Sequence, residues 1–253
     1  MEQFIQNIAR GAGAILKEKF TQTKNIKEKN GASDVVTDAD LAANNYIINA
    51  IKEKYPTHGI ISEESAADLG DSEYTWIIDP LDGTFNFASD LPLFLVMIAL
   101  VKNEVVELAA LYNPILEEFF YAKKGSGAFL NGQKISCSKR EELNHASVAL
   151  GVRFDSTSVG LIQKLVELGK TNTFFANFYS SSGYASVLAA CARRDYYLNS
   201  GNPVWDLAAA SLLLSESGCT ITNIQGAPWT LQDKTMLAAN PVLHTKVLQF
   251  LNS

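Results

Sequence analysis

Residues 74–78, Tyr-Thr-Trp-Ile-Ile, read as an apolar strand and run directly into Asp79-Pro80-Leu81-Asp82-Gly83-Thr84-Phe85-Asn86-Phe87. This junction limits the available folds more than any other stretch, because two carboxylates must emerge where a buried strand ends. Pro80 fixes its own φ and biases Asp79 toward extended geometry, while Gly83 lets the backbone pass close to a ligand, so the two acids can converge on one point. Carboxylates held that close repel unless a cation lies between them. Hard oxygen donors of this kind suit Mg²⁺, Mn²⁺ or Ca²⁺ rather than zinc. Beyond them, Gly83 and Thr84 open a helical turn whose N–H groups suit an anion. Metal ligands beside an anion cradle read as phosphate chemistry. The same string also makes a good surface turn, but the apolar strand before it and the aromatic residues after it argue against a solvated loop.

The chain around this junction divides by pattern. Phe4, Ile5, Ile8, Ala12, Ile15, Leu16 and Phe20 recur at helical spacing, a polar loop is expected over 21–33, and a second amphipathic helix over 38–54 ends before Pro56. Strands follow at 59–62, 76–79, 93–102, 105–112 and 118–122, with a short connection at Asn103-Glu104 and a turn at Asn131-Gly132. From there the pattern alternates. Strands are expected at 148–150, 174–175, 196–197 and 235–239, and helices at 158–168, 186–192, 205–217 and 243–251. A strand-rich half (1–145) followed by an alternating half (146–253) predicts an α/β (α+β) fold, two sheets interleaved with helix layers, in a single catalytic unit over 1–253.

Composition excludes several other classes. With 253 residues, 47% of them apolar, the chain can bury one large core or two smaller ones. No apolar run approaches the ~20 residues of a membrane span; the longest, 91–101, is interrupted by Pro92. The N-terminal segment is amphipathic, with Glu2, Arg10, Lys17 and Glu18, unlike a signal peptide, so a cytoplasmic location is expected. Cys137, Cys191 and Cys219 are odd in number and lack Cys-x-x-Cys spacing, which predicts reduced core thiols. His58, His145 and His244 are isolated, so no histidine metal cluster is expected. A net charge of −6 disfavours a nonspecific nucleic-acid binder; neither nucleic acid nor membrane is the expected partner.

Other acids could join Asp79 and Asp82. Glu63 ends the apolar strand Gly59-Ile60-Ile61-Ser62 and is either a solvated acid or a further ligand, with Glu64 pointing elsewhere. Asp206, after Pro203-Val204-Trp205, sits in the first turn of an Ala- and Leu-rich helix, where it either answers the helix dipole or adds a ligand. Thr37 with Asp40 three residues on is close to a capping box, which explains one acid of Asp38-Ala39-Asp40 better than both.

Three blocks together, Glu63-Glu64-Ser65, Asp79-Pro80-Leu81-Asp82-Gly83-Thr84 with Asn86-Phe87, and Trp205-Asp206-Leu207-Ala208-Ala209, resemble the inositol monophosphatase family. That family lies in the superfamily of fructose-1,6-bisphosphatases and phosphoadenosine phosphate phosphatases, and the similarity runs through nearly the whole chain. The resemblance implies a layered αβαβα sandwich and a Mg²⁺-dependent phosphomonoesterase, with two or three ions and Mn²⁺ able to substitute. It implies that Glu63, Asp79 and the Leu81 carbonyl bind one ion, that Asp79, Asp82 and Asp206 bind a second, and that Glu63 helps hold a third. Thr84, oriented by Asp40, would position the attacking water, and Gly83 and Thr84 would offer N–H groups to the phosphate. Gly183, Tyr184 and Asn199 are the corresponding substrate-side positions. Lys27 and Lys29 are either site cations on closure or, as the polarity of their loop favours, solvated.

Two positions depart from the family pattern. Ser180 stands where inositol-phosphate enzymes carry an arginine, and Asn199 where they carry a glutamate. Both lie on the leaving-group side. The resemblance therefore implies a small-molecule phosphomonoester but leaves histidinol-phosphatase-, fructose-1,6-bisphosphatase- and nucleotide 3′-phosphatase-like substrate choices open. It also leaves a regulatory binding role on the same fold, and it implies a homodimer.

Overall fold

The computed structural model describes residues 1–22, 26–31, 34–152 and 158–253, with side chains described over 1–22, 37–152 and 158–253. The first half contains α1 (Glu2–Phe20), β1 (Ile26–Gly31), β2 (Asp34–Thr37), α2 (Asp38–Lys54), β3 (Gly59–Ser62), β4 (Ser65–Asp68), β5 (Tyr74–Asp82) and α3 (Thr84–Ala88). It continues through β6 (Leu95–Lys102), β7 (Val105–Asn113), β8 (Glu118–Lys123), β9 (Gly127–Leu130) and β10 (Gln133–Ile135). The second half contains β11 (Ser147–Gly151), α4 (Val159–Thr171), β12 (Phe175–Phe178), α5 (Ser182–Ala190), β13 (Tyr196–Ser200), α6 (Val204–Glu216), β14 (Thr220–Thr222), β15 (Thr235–Ala239) and α7 (Pro241–Leu251).

Eight strands form one sheet in the order β10-β9-β8-β7-β6-β5-β3-β4, and five form another in the order β12-β11-β13-β15-β14. In the larger sheet only β3 and β5 run parallel. Strict alternation along buried strands assigns the layers. On β6, Val96, Ile98 and Leu100 pack with Ile5, Ile8, Ile47 and Ile51 of α1 and α2. Leu95, Met97 and Ala99 of the same strand pack on the other face with Val187 of α5 and Leu207 of α6. On β13, Tyr197 joins that central layer, whereas Tyr196 and Leu198 face Leu161, Leu165, Leu243 and Val247 of α4 and α7. The result is α1α2 | large sheet | α5α6 | small sheet | α4α7, the five-layer αβαβα sandwich expected. Strands buried on both faces read as continuous apolar runs, and helices between two sheets are apolar all round.

That last property explains why the expected start of α5 is misplaced. Its nine residues are all buried, so no amphipathic stripe marks its beginning, and it opens at Ser182 rather than at 186. The polar loop expected over 21–33 contains β1, paired antiparallel with β2 by backbone bonds that hydrophobic periodicity does not report. The Lys27 and Lys29 side chains, weighed as site cations, lie outside the described residues. β4, β9, β10, β14 and α3 are too short to give a pattern of their own. Among the described residues no helix is long and apolar enough to cross a membrane.

Candidate active site

β5 does not end at Asp79; it continues through a bulge. Asp79 pairs with Met97 and Asp82 with Leu95, so β5 advances three residues while β6 advances two. Pro80, which cannot donate to a ladder, sits in the irregular stretch, where prolines within sheets are found. Residues three apart on a regular strand face opposite sides, but the extra residue restores the side. Asp79 and Asp82 both lie opposite residues of β6 that face α5 and α6. The parallel neighbour β3 delivers Glu63 alongside: Ser62 pairs with Ile78, and the Glu63 N–H donates to the Ile78 carbonyl at 3.2 Å. Asp206, in the first turn of α6, comes from the helix layer opposite.

These acids are taken out of water. Asp79 is 2%, Asp82 5% and Asp206 7% exposed. Burial, and then the charges of Glu63, Asp82 and Asp206, push the Asp79 carboxyl well above the usual carboxylate range. Its Oδ1 accepts from the Leu81 N–H at 2.9 Å, which holds the elbow. Asp82 is raised by burial to about 6, against the opposing effect of three donors from α5: Ser181 Oγ, the Gly183 N–H and the Ser182 N–H. The two N–H groups lie 2.8 Å from Oδ2 and 3.0 Å from Oδ1. Ser181 also caps α5, accepting from the Tyr184 N–H at 3.0 Å. Asp206 accepts from Asn202 Nδ2.

Two glycines make this approach possible. Gly83, at φ +92°, caps α3, and a Cβ there would lie 2.9 Å from the Leu93 carbonyl oxygen. At Gly183 a Cβ would meet Met97 Sδ at 2.3 Å and Asp82 Oδ2 at 2.8 Å. Gly183→Ala is therefore expected to force α5 off Asp82, lowering stability by about 1–3 kcal/mol, the usual scale for overpacking. Thermal unfolding of the variant checks this; a wild-type melting temperature would show that α5 does not seat on Asp82.

Asp40 answers both of its sequence readings. Its Oδ2 accepts from the Thr37 N–H at 2.9 Å and from Thr37 Oγ1 at 2.5 Å, completing the capping box of α2. Its Oδ1 accepts from Thr84 Oγ1 at 3.0 Å, and the same hydroxyl lies 3.0 Å from the Leu81 carbonyl oxygen. Thr84 has one proton, so it serves one acceptor at a time. Asp40 is fully buried, and burial raises it to about 6, opposed by its bonds to Thr37 and Thr84.

The substrate-side positions lie deeper than their sequence reading suggests. Tyr184, one of the substrate-side positions, is 8% exposed and packs edge-on against Tyr179, with ring centroids 5.7 Å apart. Asn199 is fully buried: its Nδ2 donates to the Gly151 carbonyl at 2.6 Å and to Ser182 Oγ at 3.2 Å. Among the described residues its Oδ1 has no hydrogen-bond partner. Ser182 Oγ in turn lies 2.6 Å from Tyr197 OH, so a polar network supports the start of α5 from the small sheet. Ser180 is exposed and left-handed at φ +52°. Ser181, Ser182 and Asn202 were not singled out from sequence. Ser181-Ser182-Gly183 is a readable N-cap string, but it stands before a helix whose start gives no hydrophobic signal.

The donor set fits a hard divalent cation in kind: carboxylates and a carbonyl, with no thiolate or imidazole. Among the described residues, three or more such side chains do not already converge around a point that would hold a metal. Asp82 has both oxygens engaged by α5, and Asp206 is engaged by Asn202. A carboxylate has about four acceptor sites, so Asp82, with three donors, retains one for a cation, and the mutual repulsion at Asp79 favours a cation between the acids.

A five-layer αβαβα sandwich with buried acids where β5 meets the α5–α6 layer is the architecture of the inositol monophosphatase fold class. The profile of the inositol monophosphatase family matches residues 1–253, and the chain belongs to that family. An inositol monophosphatase of Dictyostelium discoideum is 36% identical over 261 residues, covering 99% of this chain and 96% of that protein. A Thermotoga maritima protein named fructose-1,6-bisphosphatase/inositol-1-monophosphatase is 30% identical over 249 residues, covering 98% and 94%. The solved structure of extragenic suppressor protein suhB from Bartonella henselae superposes with a TM-score of 0.93 at 28% identity, covering 99% of this chain and 98% of that one. By family, the chain is a phosphatase.

Proposed function

We propose that the protein is a Mg²⁺-dependent phosphomonoesterase in which water attacks a small phosphorylated metabolite directly. The observation that supports it best is the β5 bulge, which turns Asp79 and Asp82 to one side beside Glu63 and opposite Asp206. In this reading Glu63, Asp79, the Leu81 carbonyl, Asp82 and Asp206 hold two or three ions. Bound there, such cations polarise the phosphoryl oxygens, lower the pKa of water and stabilise the leaving alkoxide.

The chain's own groups supply the rest. With its proton given to Asp40, the Thr84 oxygen has lone pairs to orient the attacking water, and Asp40 near 6 is poised to take up a proton at neutral pH. Gly83 and Thr84 present N–H groups to the phosphate. The enzyme is read as a homodimer on the family likeness, and as cytoplasmic on the amphipathic N-terminal segment and the scattered cysteines.

The leaving-group side carries no arginine at Ser180, no glutamate at Asn199 and little free surface on Tyr184, so contacts beyond the phosphate are expected to be weak. Inositol 1-phosphate should therefore be no better than histidinol phosphate, fructose 1,6-bisphosphate or adenosine 3′,5′-bisphosphate, with any advantage in kcat/KM below about a hundredfold, equivalent to nearly 3 kcal/mol. Phosphate release from this panel, with Mg²⁺ and with chelator, tests both parts. A larger inositol preference overturns the specificity reading, and metal-independent release overturns the cation. A second reading, a regulatory binding role on the same fold, is favoured by the likeness to a protein named an extragenic suppressor. Absence of release from every substrate would favour it.

A further inference from the structure

Cys137 and Cys219 are far apart in sequence, separated by everything from β11 to α6, yet the fold sets their thiols against one another. Cys137 lies in the segment between β10 and β11, and its N–H donates to the Ser217 carbonyl at 2.9 Å. A Cβ at Gly218 would lie 3.8 Å from Cys137 Sγ, so the sulfur sits over the turn that follows α6. From the far side of that turn, Cys219 Sγ lies 3.9 Å from Ser217 Oγ, in the same buried cluster as Cys137. Each residue retains 9% of its surface.

We propose that Cys137 and Cys219 form a peroxide-sensitive pair, a covalent modification site at which a hydroperoxide closes an intramolecular disulfide between the β10–β11 segment and the end of α6.

The pair is asymmetric in the way such a step needs. The Cys219 thiol beside it lowers Cys137 to about 7, and the Cys137 thiol, then burial, raise Cys219, so Cys137 is the sulfur that carries thiolate near neutral pH. The Cys137 thiolate attacks one oxygen of hydrogen peroxide, breaking the O–O bond and releasing hydroxide, to leave a sulfenic acid. The Cys219 sulfur then displaces the oxygen from that sulfur. The S–S bond forms, the Cys219 proton leaves with the displaced hydroxide as water, and the hydroxide from the first step takes up the proton that Cys137 gave up on ionising, so peroxide is reduced to two waters overall. Cys191 differs: it ends α5 alone, its thiol donates to the Leu188 carbonyl, and burial raises it. It serves as the internal control.

Folded protein treated with hydrogen peroxide, then denatured and alkylated, should carry one alkylated cysteine, Cys191, out of three. Peptide mapping should show a Cys137–Cys219 crosslink that dithiothreitol reverses. The oxidised protein should melt several degrees higher, because the bond closes a long loop in the unfolded chain. Cys191→Ser should behave as wild type. Cys137→Ser and Cys219→Ser should each lose the crosslink, so that one of them suffices if the other fails to fold. Three alkylated cysteines at a peroxide dose that fully oxidises glutathione, or crosslinks that involve Cys191 or join two chains, would overturn the proposal.

Discussion

Asp79→Asn is expected to cut Mg²⁺-dependent turnover by about 10³-fold, since the several kcal/mol of charge stabilisation supplied at such a site converts at about 1.36 kcal/mol per decade. The same variant should be at least as stable as wild type in chelator. Burial, and then the charges of Glu63, Asp82 and Asp206, hold the Asp79 carboxyl well above the usual range. The fold therefore disfavours an ionised carboxylate at this position, and an amide carries no charge to disfavour. Asn keeps an oxygen to accept from the Leu81 N–H, so the elbow survives. Asp82 is a poorer position for this test, because all three of its partners are donors that would oppose an amide NH₂. Turnover assays with Mg²⁺ and thermal unfolding in chelator decide the matter. Wild-type turnover would remove Asp79 from the cation set, and a lower melting temperature in chelator would make its carboxylate structural.

Thr84→Ala should lower kcat by about 10²-fold, the usual scale for a group that positions a proton in transit, with KM and Mg²⁺ affinity little changed. Equal losses in all three would make Thr84 a structural cap instead. Asp40→Asn separates the two roles of that residue. An Asn oxygen can still accept from the Thr37 N–H and keep the box of α2, but its NH₂ would face Thr84 Oγ1 as a donor. The melting temperature should stay within a few degrees while kcat falls.

The pH dependence has a defined sign. Burial raises Asp40 from 3.8 to about 6, so folding takes up a proton between those values and stability from this group falls as pH rises through that window. Activity should move the other way, rising through about 6 as Asp40 ionises and can accept the Thr84 proton. The difference between the wild-type and Asp40→Asn profiles isolates this group from Asp82, which is also held at about 6. Identical profiles would remove Asp40 from the reaction.

The layers of the fold were legible because strands such as β6 are buried on both faces and helices such as α1 and α2 on one, and both conditions write themselves into hydrophobic spacing. α5 was not placed correctly, because a helix buried on every side has no stripe to mark where it starts. The hairpin of β1 and β2 was missed for the opposite reason: its pairing is made by backbone groups, which every residue type carries.

By itself, the sequence determined the identity of the acids, the oxygen donors they offer, the elbow at Pro80 and two sheets interleaved with helix layers, while the five-layer order came with the family resemblance. Tertiary structure decided which way those acids face. The bulge that turns Asp79 and Asp82 to one side is a register relation between β5 and β6, and register is a property of two strands. The hold of Ser181 and Gly183 on Asp82, the burial of Tyr184 and the contact of Cys137 with Cys219 likewise join residues far apart in the chain or on different elements. Local spacing carries no trace of such contacts, because they exist only once the sheets and helices have closed around a common core.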